Sequence, residues 1–309
     1  MRVIFMGTPD FAVPSLEALL TKHEVVLVVT QPDKPKGRGK KMVPTPVKAC
    51  ALEHGIPVLQ PEKVKEPEFV EQLRSYEPDL IAVTAFGQIL SEPILEMPKY
   101  GCINVHGSLL PKYRGAAPMQ WSIIDGEKVT GITTMYMAKG LDSGDMLLKA
   151  EVEITDEDTF ATIHDKMAVT GANLLLDTLD QLEAGTLERI PQDHDAATYA
   201  PMITKETGHI DWSKNRQDII NLIRGLNPVP AAYTIYEEEV LKIFSAVISD
   251  VQADDAANGE IVAVVKKGFV VKCGDGCLLI TEVQARGGKR MMTDAYLRGH
   301  AMKEGILLQ

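Results

Sequence analysis

The chain has 309 residues, 45% hydrophobic and 24% charged, with a formal net charge of −11. That length exceeds one ordinary domain, and the apolar content suffices for sizeable cores. The acid excess argues against a nonspecific nucleic-acid binder, no apolar run reaches the roughly 18 residues of a membrane span, and four scattered cysteines fit a reducing, cytoplasmic setting rather than a disulfide scaffold.

The opening MRVIFMGTPDF turns polar too soon for a signal peptide and reads as a first strand, RVIFMG, closed by Gly7. TPDFAVPSLEALL follows as loop and then helix, with Pro14 near the helix start. EVVLVVTQPD is a second buried strand ended by Pro32 and Asp33. The helical stretches PTPVKACALEHG and EPEFVEQLRSYEP lead to two more strands, DLIAVTAFG and GCINVHG. Strand and helix in alternation predict an α/β, Rossmann-like domain with a mostly parallel sheet, whose ligands sit at the carboxyl ends of strands. GITTMYMAKGLDSGD adds a strand and a Gly-rich loop, and TDEDTFATIHDKMAVTGANLLLDTLDQLEAG a long helix stopped by Gly185. Residues 189–206 lack a period and are expected to link residues 1–188 to a second domain, 207–309. There, after the helix SKNRQDIINLIRGLNP, short strands broken at Lys267-Gly268 and Asp275-Gly276 predict a small antiparallel, OB-like β-barrel. A final helix is expected near MTDAYLRGHAM.

Residues i and i+2 of a strand share a face, so Asn104 and His106 stand together at the mouth of the sheet. An amide N–H suits a developing oxyanion, and an imidazole passes protons near neutral pH. Either Asp142 or Asp145 of the GLDSGD loop could orient the imidazole. No serine or cysteine elbow accompanies them, so the nucleophile is expected to belong to a substrate. Taken alone, an Asn-x-His at a strand end is ordinarily a turn with satisfied polar groups.

NVHGSLLPKYRGAAP, followed at the right distance by GITTMYMAKGLDSGD, resembles the folate-dependent formyltransferase family. IFMGTPDFAVPSLEALL, the basic loop QPDKPKGRGKK and GHIDWSKNRQDIINLIRGLNPVPAAYT extend the resemblance over nearly the whole chain. It implies an enzyme of translation initiation that moves a formyl group from 10-formyltetrahydrofolate to the amino group of methionyl initiator tRNA. Asn104, His106 and Asp142 would be catalytic. Ser108, Leu109, Leu110 and Pro111 would lie against the folate, with Phe86, Gln88, Ile89 and Leu90 lining the pterin slot. Phe11 would receive the methionyl side chain, and Arg38, Lys40 and Lys41 would grip the tRNA acceptor end. Glycinamide ribonucleotide or an amino-sugar nucleotide is the acceptor in other branches. Departures from the family pattern fall at Gly107, Ser143, Val229 and Ala231, the last two affecting only packing where the second domain begins.

Other features point elsewhere or nowhere. MGTPDF has one glycine where a dinucleotide fingerprint needs three, which argues against NAD. CGDGC lacks a second ligand pair and reads as a turn, so no metal is expected. Arg286, Lys289, Arg290, Arg298 and Lys303, with Lys266, Lys267 and Lys272, could gather into a tRNA-binding face, or could pair with Glu237 to Glu239 and other acids. A two-domain RNA and small-ligand binding protein without catalysis is the alternative from another class. A monomer that does not engage membranes is expected.

Overall fold

The computed structural model describes residues 1–36 and 41–309. The chain divides into a first unit, residues 1–118, 130–153 and 164–200, and a second, residues 119–129, 154–163 and 201–309.

The first unit is built on a seven-stranded sheet. Its strands are β1 (Arg2–Gly7), β2 (Glu24–Val29), β3 (Val58–Leu59), β4 (Leu80–Thr84), β5 (Cys102–His106), β6 (Val129–Tyr136) and β7 (Met146–Glu153), in spatial order β7-β6-β5-β4-β1-β2-β3. The pairings among β1 to β5 are parallel, and β6 lies antiparallel to β5, with His106 opposite Thr133. Ile4, Met6, Leu27, Val29, Ile81 and Val83 share one core with Leu73, Phe86 and Ile94. The intervening Val3, Phe5, Val28, Leu80 and Ala82 are buried as well. A sheet covered on both faces needs continuous apolar strands, and β1, β2 and β4 are such runs. β7 is not among the elements expected from the sequence. Its alternation of Lys149, Glu151 and Glu153 with Ala150 and Val152 marks an edge strand with one wet face.

The helices are α1 (Val13–Leu20), α2 (Pro46–Glu53), α3 (Pro67–Arg74), α4 (Glu92–Leu95), α5 (Pro118–Ile124) and α6 (Phe160–Ala184). Thr45 caps α2 by accepting from Lys48 N at 3.1 Å, with Pro46 in the first turn, where its missing N–H costs nothing. The long helix begins at Phe160, later than expected. Ahead of it, the buried Asp158 carboxylate accepts from Thr155 N, Thr155 Oγ1 and Thr162 Oγ1, each at 2.8 Å, so TDEDT is a polar turn.

The second unit holds α7 (Arg216–Gly225), β8 (Ala232–Tyr236), β9 (Glu239–Ser249), β10 (Ile261–Val265), β11 (Gly268–Cys273), β12 (Gly276–Ala285), β13 (Met291–Met292) and α8 (Thr293–Leu297). The antiparallel order is β8-β9-β12-β11-β10, with β13 on β12. TIYEEEVLKIFSAVIS is two strands, because Glu237 and Glu238 adopt φ of 45° and 69° and turn the chain in a two-residue hairpin. Residues 305–309 then bond to both edge strands. Ile261 N donates to Ile306 O at 2.9 Å, and Ile235 N and Gln309 N exchange bonds with the opposite carbonyls at 2.6 and 3.1 Å. The sheet thereby closes around Trp212, Ile243, Phe269, Val271 and Ile280.

Two segments fall where the sequence did not place them. Residues 119–129 and 154–163 pack with the second unit. The Arg224 guanidinium donates to Thr155 O at 2.7 Å and Asp158 O at 3.0 Å, and a Cβ on Gly225 would come within 2.6 Å of Ile124 Cγ1. Most of the expected linker is bonded into the first unit. Ile190 exchanges backbone bonds with Met146, and Tyr199–Ala200 pairs in parallel with Arg114–Gly115. It lacks a period because its partners are loops rather than one face of an element.

His23 is buried with both ring nitrogens lacking a hydrogen-bond partner, and Glu183 Oε1 lies 3.9 Å from Nδ1. Burial, then the nearby N-terminal amino group, pushes its pKa down, against the pull of Glu183 and Asp180. As pH falls, the unfolded chain therefore takes up this proton first. The stability from the neutral ring is complete above about pH 6.5 and is lost as pH falls toward the lower folded value. His23→Leu should flatten the stability profile below about pH 6.5, as measured by urea denaturation at a series of pH values.

Candidate active site

β1, β4 and β5 are parallel and adjacent or near-adjacent, so their carboxyl ends open on one edge of the sheet. Thr8, Phe86 and His106 follow or end those strands. Thr8 Oγ1 and Gln31 Nε2 donate to the Phe86 carbonyl at 2.9 and 3.3 Å, which binds these ends together.

Asn104 and His106 lie on the same face of β5. The Asn104 carboxamide is half-buried and makes no hydrogen bond among the described residues. His106 is buried, and its Nε2 is 2.9 Å from the Tyr113 carbonyl. A carbonyl only accepts, so Nε2 carries a hydrogen. Nδ1 faces Asp142 Oδ2 at 3.7 Å, too far for a direct hydrogen bond. A proton gained at Nδ1 therefore points toward a carboxylate, and this nitrogen is the one left for chemistry. Of the two acids in the loop, Asp142 and not Asp145 stands there. Asp142 Oδ2 also accepts from Gly115 N at 2.8 Å. Asp142 holds a left-handed φ of 45°, which costs about 1–2 kcal/mol for a residue with a Cβ, so its neighbours must over-determine it. Gly115 has a φ of 116°, and a Cβ there would meet Ala200 O at 2.7 Å.

The loop after β5 is fixed through its backbone. Thr133 Oγ1 donates to Ser108 O at 2.7 Å and accepts from Leu110 N at 3.1 Å. Ser108 Oγ donates to Lys112 O, and Lys149 Nζ to Leu110 O. Ser108 and Leu110 are buried, Leu109 and Pro111 half-buried. Burial pushes the Lys149 ammonium down from its usual range.

The 86–90 segment differs from a uniform slot lining. The Phe86 and Leu90 side chains belong to the sheet core. Gln88 is tied to a neighbouring loop, accepting from Val64 N at 2.8 Å and donating to Pro61 O at 3.1 Å. Ile89 is 83% exposed. The alternation has a simple cause: the segment runs along the core edge, so every other side chain turns in. Phe11 is buried in a short turn, Asp10–Ala12, its ring 5.4 Å from that of His164. Arg38 and Lys40 lie outside the described residues, and Lys41 opens the short strand Lys41–Val43.

The sequence profile described as "Formyl transferase" matches residues 1–179, and that described as "Formyl transferase, C-terminal domain" matches residues 202–301. A methionyl-tRNA formyltransferase of Acetivibrio thermocellus is 54% identical over 309 residues, covering 100% of this chain and 99% of the relative. One of Ruminiclostridium cellulolyticum is 55% identical over 307 residues, covering 99% and 98%. The chain belongs to the methionyl-tRNA formyltransferase family. Among solved structures, the sugar 3N-formyl transferase WlaRD, determined in the presence of dTDP and 5-N-formyl-THF, superposes with a TM-score of 0.67 at 19% identity, over 92% of this chain and 97% of that one. At that identity the likeness concerns the fold, a mostly parallel α/β domain followed by an antiparallel one.

In this formyltransferase fold the sequence motifs locate Asn104, His106 and the GLDSGD loop, but not what holds them. Thr133 and Lys149 sit on β6 and β7, and Gln192 in the stretch expected as linker. Thr133 and Lys149 carried no signal beyond being polar residues in strands. Four of the eight basic residues of the second-unit cluster pair with carboxylates. Arg286 meets Glu239 at 3.2 Å, Arg290 meets Glu282 at 2.7 Å, Arg298 meets Asp294 at 3.2 Å, and Lys303 meets Glu237 at 3.2 Å. The cluster is thus not a bare cationic face. Among the described residues no group of three or more His, Cys, Asp or Glu could hold a metal ion, and no helix is long and apolar enough to cross a membrane. All four cysteines are free and buried.

Asn104→Asp keeps the shape of the side chain, deletes its N–H donors and sets a carboxylate where an oxyanion would form. Formyl-transfer kcat should fall by about 10²–10³, measured on folded protein by steady-state kinetics.

Proposed function

We propose that the chain transfers the formyl group of 10-formyltetrahydrofolate to the α-amino group of methionyl initiator tRNA, through Asn104, His106 and Asp142. The observation that carries the reading is the unbonded Asn104 carboxamide beside a histidine whose free Nδ1 faces Asp142. The amine attacks in its neutral form, and α-amino groups titrate near pH 8. A bond forms between its nitrogen and the formyl carbon, and the carbonyl oxygen becomes an oxyanion that accepts from Asn104 Nδ2. The bond from that carbon to the folate nitrogen then breaks. One proton leaves the attacking amine and one reaches the folate nitrogen, with His106 Nδ1 as the carrier. Asp142 stabilises the imidazolium in between.

The rigid backbone of Ser108 to Pro111 supports a folate subsite there, bordered by the backbone of residues 86–90 and the exposed Ile89 side chain. Phe11 is the candidate wall for the methionyl side chain. The basic residues Arg38, Lys40 and Lys41 are the candidate grip on the acceptor end. A tRNA role for the second unit rests on Lys289, Lys266 and Lys267 more than on the paired arginines. The four free, buried cysteines fit a reducing, cytoplasmic setting, and the enzyme is read as a monomer.

The decisive assay supplies 10-formyltetrahydrofolate with charged initiator tRNA, charged elongator tRNA, glycinamide ribonucleotide or an amino-sugar nucleotide. Formylation of initiator tRNA in clear preference is expected, and preference for either small acceptor overturns the assignment. In the same assay His106→Ala should lose roughly 10²–10⁴ in kcat while folate binding persists.

A further inference from the structure

We infer that Gln192 is a positioning residue for this reaction: its carboxamide, anchored on the buried Arg114 guanidinium, fixes the turn that carries Asp142 and so sets where the Asp142 carboxylate stands beside His106. The inference rests on the catalytic reading of Asn104, His106 and Asp142 given above.

Gln192 and Arg114 are both buried. Arg114 Nε and Nη2 donate to Gln192 Oε1 at 3.0 and 2.7 Å. Gln192 Nε2 donates to Asp142 O and to Gly144 O, each at 2.8 Å. Guanidinium groups only donate and peptide carbonyls only accept, so the chemistry of the neighbours fixes which end of the amide is oxygen. Both hydrogens and both lone pairs of the carboxamide are then in use. No other side chain of this length has two acceptor sites at one atom and two donors at the next. Glutamate satisfies Arg114 but offers nothing to the carbonyls, and leucine satisfies neither.

The two carbonyls bracket a turn in which Asp142 holds its left-handed backbone. The Asp142 Oδ2 is also bound to Gly115 N, so the turn from behind and Gly115 from in front together set where the carboxylate stands. Gly115 adjoins Arg114 in sequence, and Arg114 also contacts His194 Nδ1 at 3.1 Å. One small network thus ties the chain at 114–115, 142–144 and 192–194. Gln192 touches neither reacting atoms nor the His106 ring. Its effect passes through the placement of Asp142, and displacements near 1 Å in such sites cost up to about a hundredfold in rate.

The test uses the full-length enzyme with Q192E, which keeps length and the acceptor for Arg114, replaces the donors to the turn by a second acceptor and adds a negative charge, and with Q192M, which removes the donors without adding a charge. Expected are a kcat for initiator tRNA lower by about 10- to 100-fold and KM values for both substrates within about twofold of wild type. In Q192M, which adds no charge, the His106 titration, followed by NMR without substrate, should move in the same direction as in D142N. In a D142N background Q192E should cost no more than about threefold further, because both act through one carboxylate. Wild-type kcat with an unmoved His106 titration in folded Q192M overturns the inference, and so does an equal cost of Q192E in both backgrounds. Q192N is the second variant if Q192E does not fold. It keeps both functions at shorter reach and should show the same changes in smaller measure, and a folded Q192N with unchanged kcat and titration also overturns the inference. Failure of the catalytic reading looks different: His106→Ala and D142N would then keep near-wild-type kcat, while the His106 titration in Q192M and D142N would still report the clamp.

Discussion

A guanidinium taken out of water must find acceptors, and the first unit is organised around one such demand. Arg114 is 3% exposed, and its bonds go to neutral partners, Gln192 Oε1 and His194 Nδ1. Hydrogen bonds at good geometry are what make such burial tolerable. To supply them, residues 189–200 leave the path of a simple linker and fold back over the loop after β5. The same bonds use up the oxygen of Gln192 and turn its amide nitrogen toward the 142–144 turn. A polar side chain thereby holds the backbone turn that carries the Asp142 carboxylate.

The reaction site is a meeting of rigid backbone with few free polar groups. Thr133 holds the 108–110 loop from inside the sheet, and Tyr113 O and Gly115 N hold His106 and Asp142 from outside it. With these bonds made, the Asn104 carboxamide and His106 Nδ1 make no hydrogen bond among the described residues. Donors that are not already engaged need not break a bond when charge develops, which is the physical content of preorganisation.

Much of this was legible in the sequence where periodicity or spacing applies. Unbroken apolar runs gave β1, β2 and β4, and the two-residue period put Asn104 beside His106. Spacing could not choose between Asp142 and Asp145, since both lie in one loop and only the left-handed turn at Asp142 aims a carboxylate at the imidazole. Gln192 was invisible, because a side chain that bonds to two distant loops leaves no pattern in its own neighbourhood. The hairpin at Glu237-Glu238 was missed because turns with positive φ at both positions ordinarily advertise themselves with Asn or Gly. Charge sums do not register pairing. They left open whether Arg286, Arg290 and Arg298 formed a cationic face or paired with acids, and each stands beside a carboxylate.

The closure of the second sheet by residues 305–309 bears on how the chain comes into being. Strand β10 leaves the ribosome with one edge unpaired, and the segment that covers it is made some forty residues later, whereas the outer edge of β8 is already bonded at Tyr233 by His209–Ile210 and lacks only its Gln309 partner. Synthesis therefore passes through an interval in which most of the sheet exists and its β10 rim is bare, the state in which strands of neighbouring nascent chains can pair. Residues 1–200 are already made by then, so the first unit has its complete complement of segments throughout that interval. On a polysome the order of events is a finished first unit tethered to an open sheet, and the exposure ends only with the arrival of a five-residue strap.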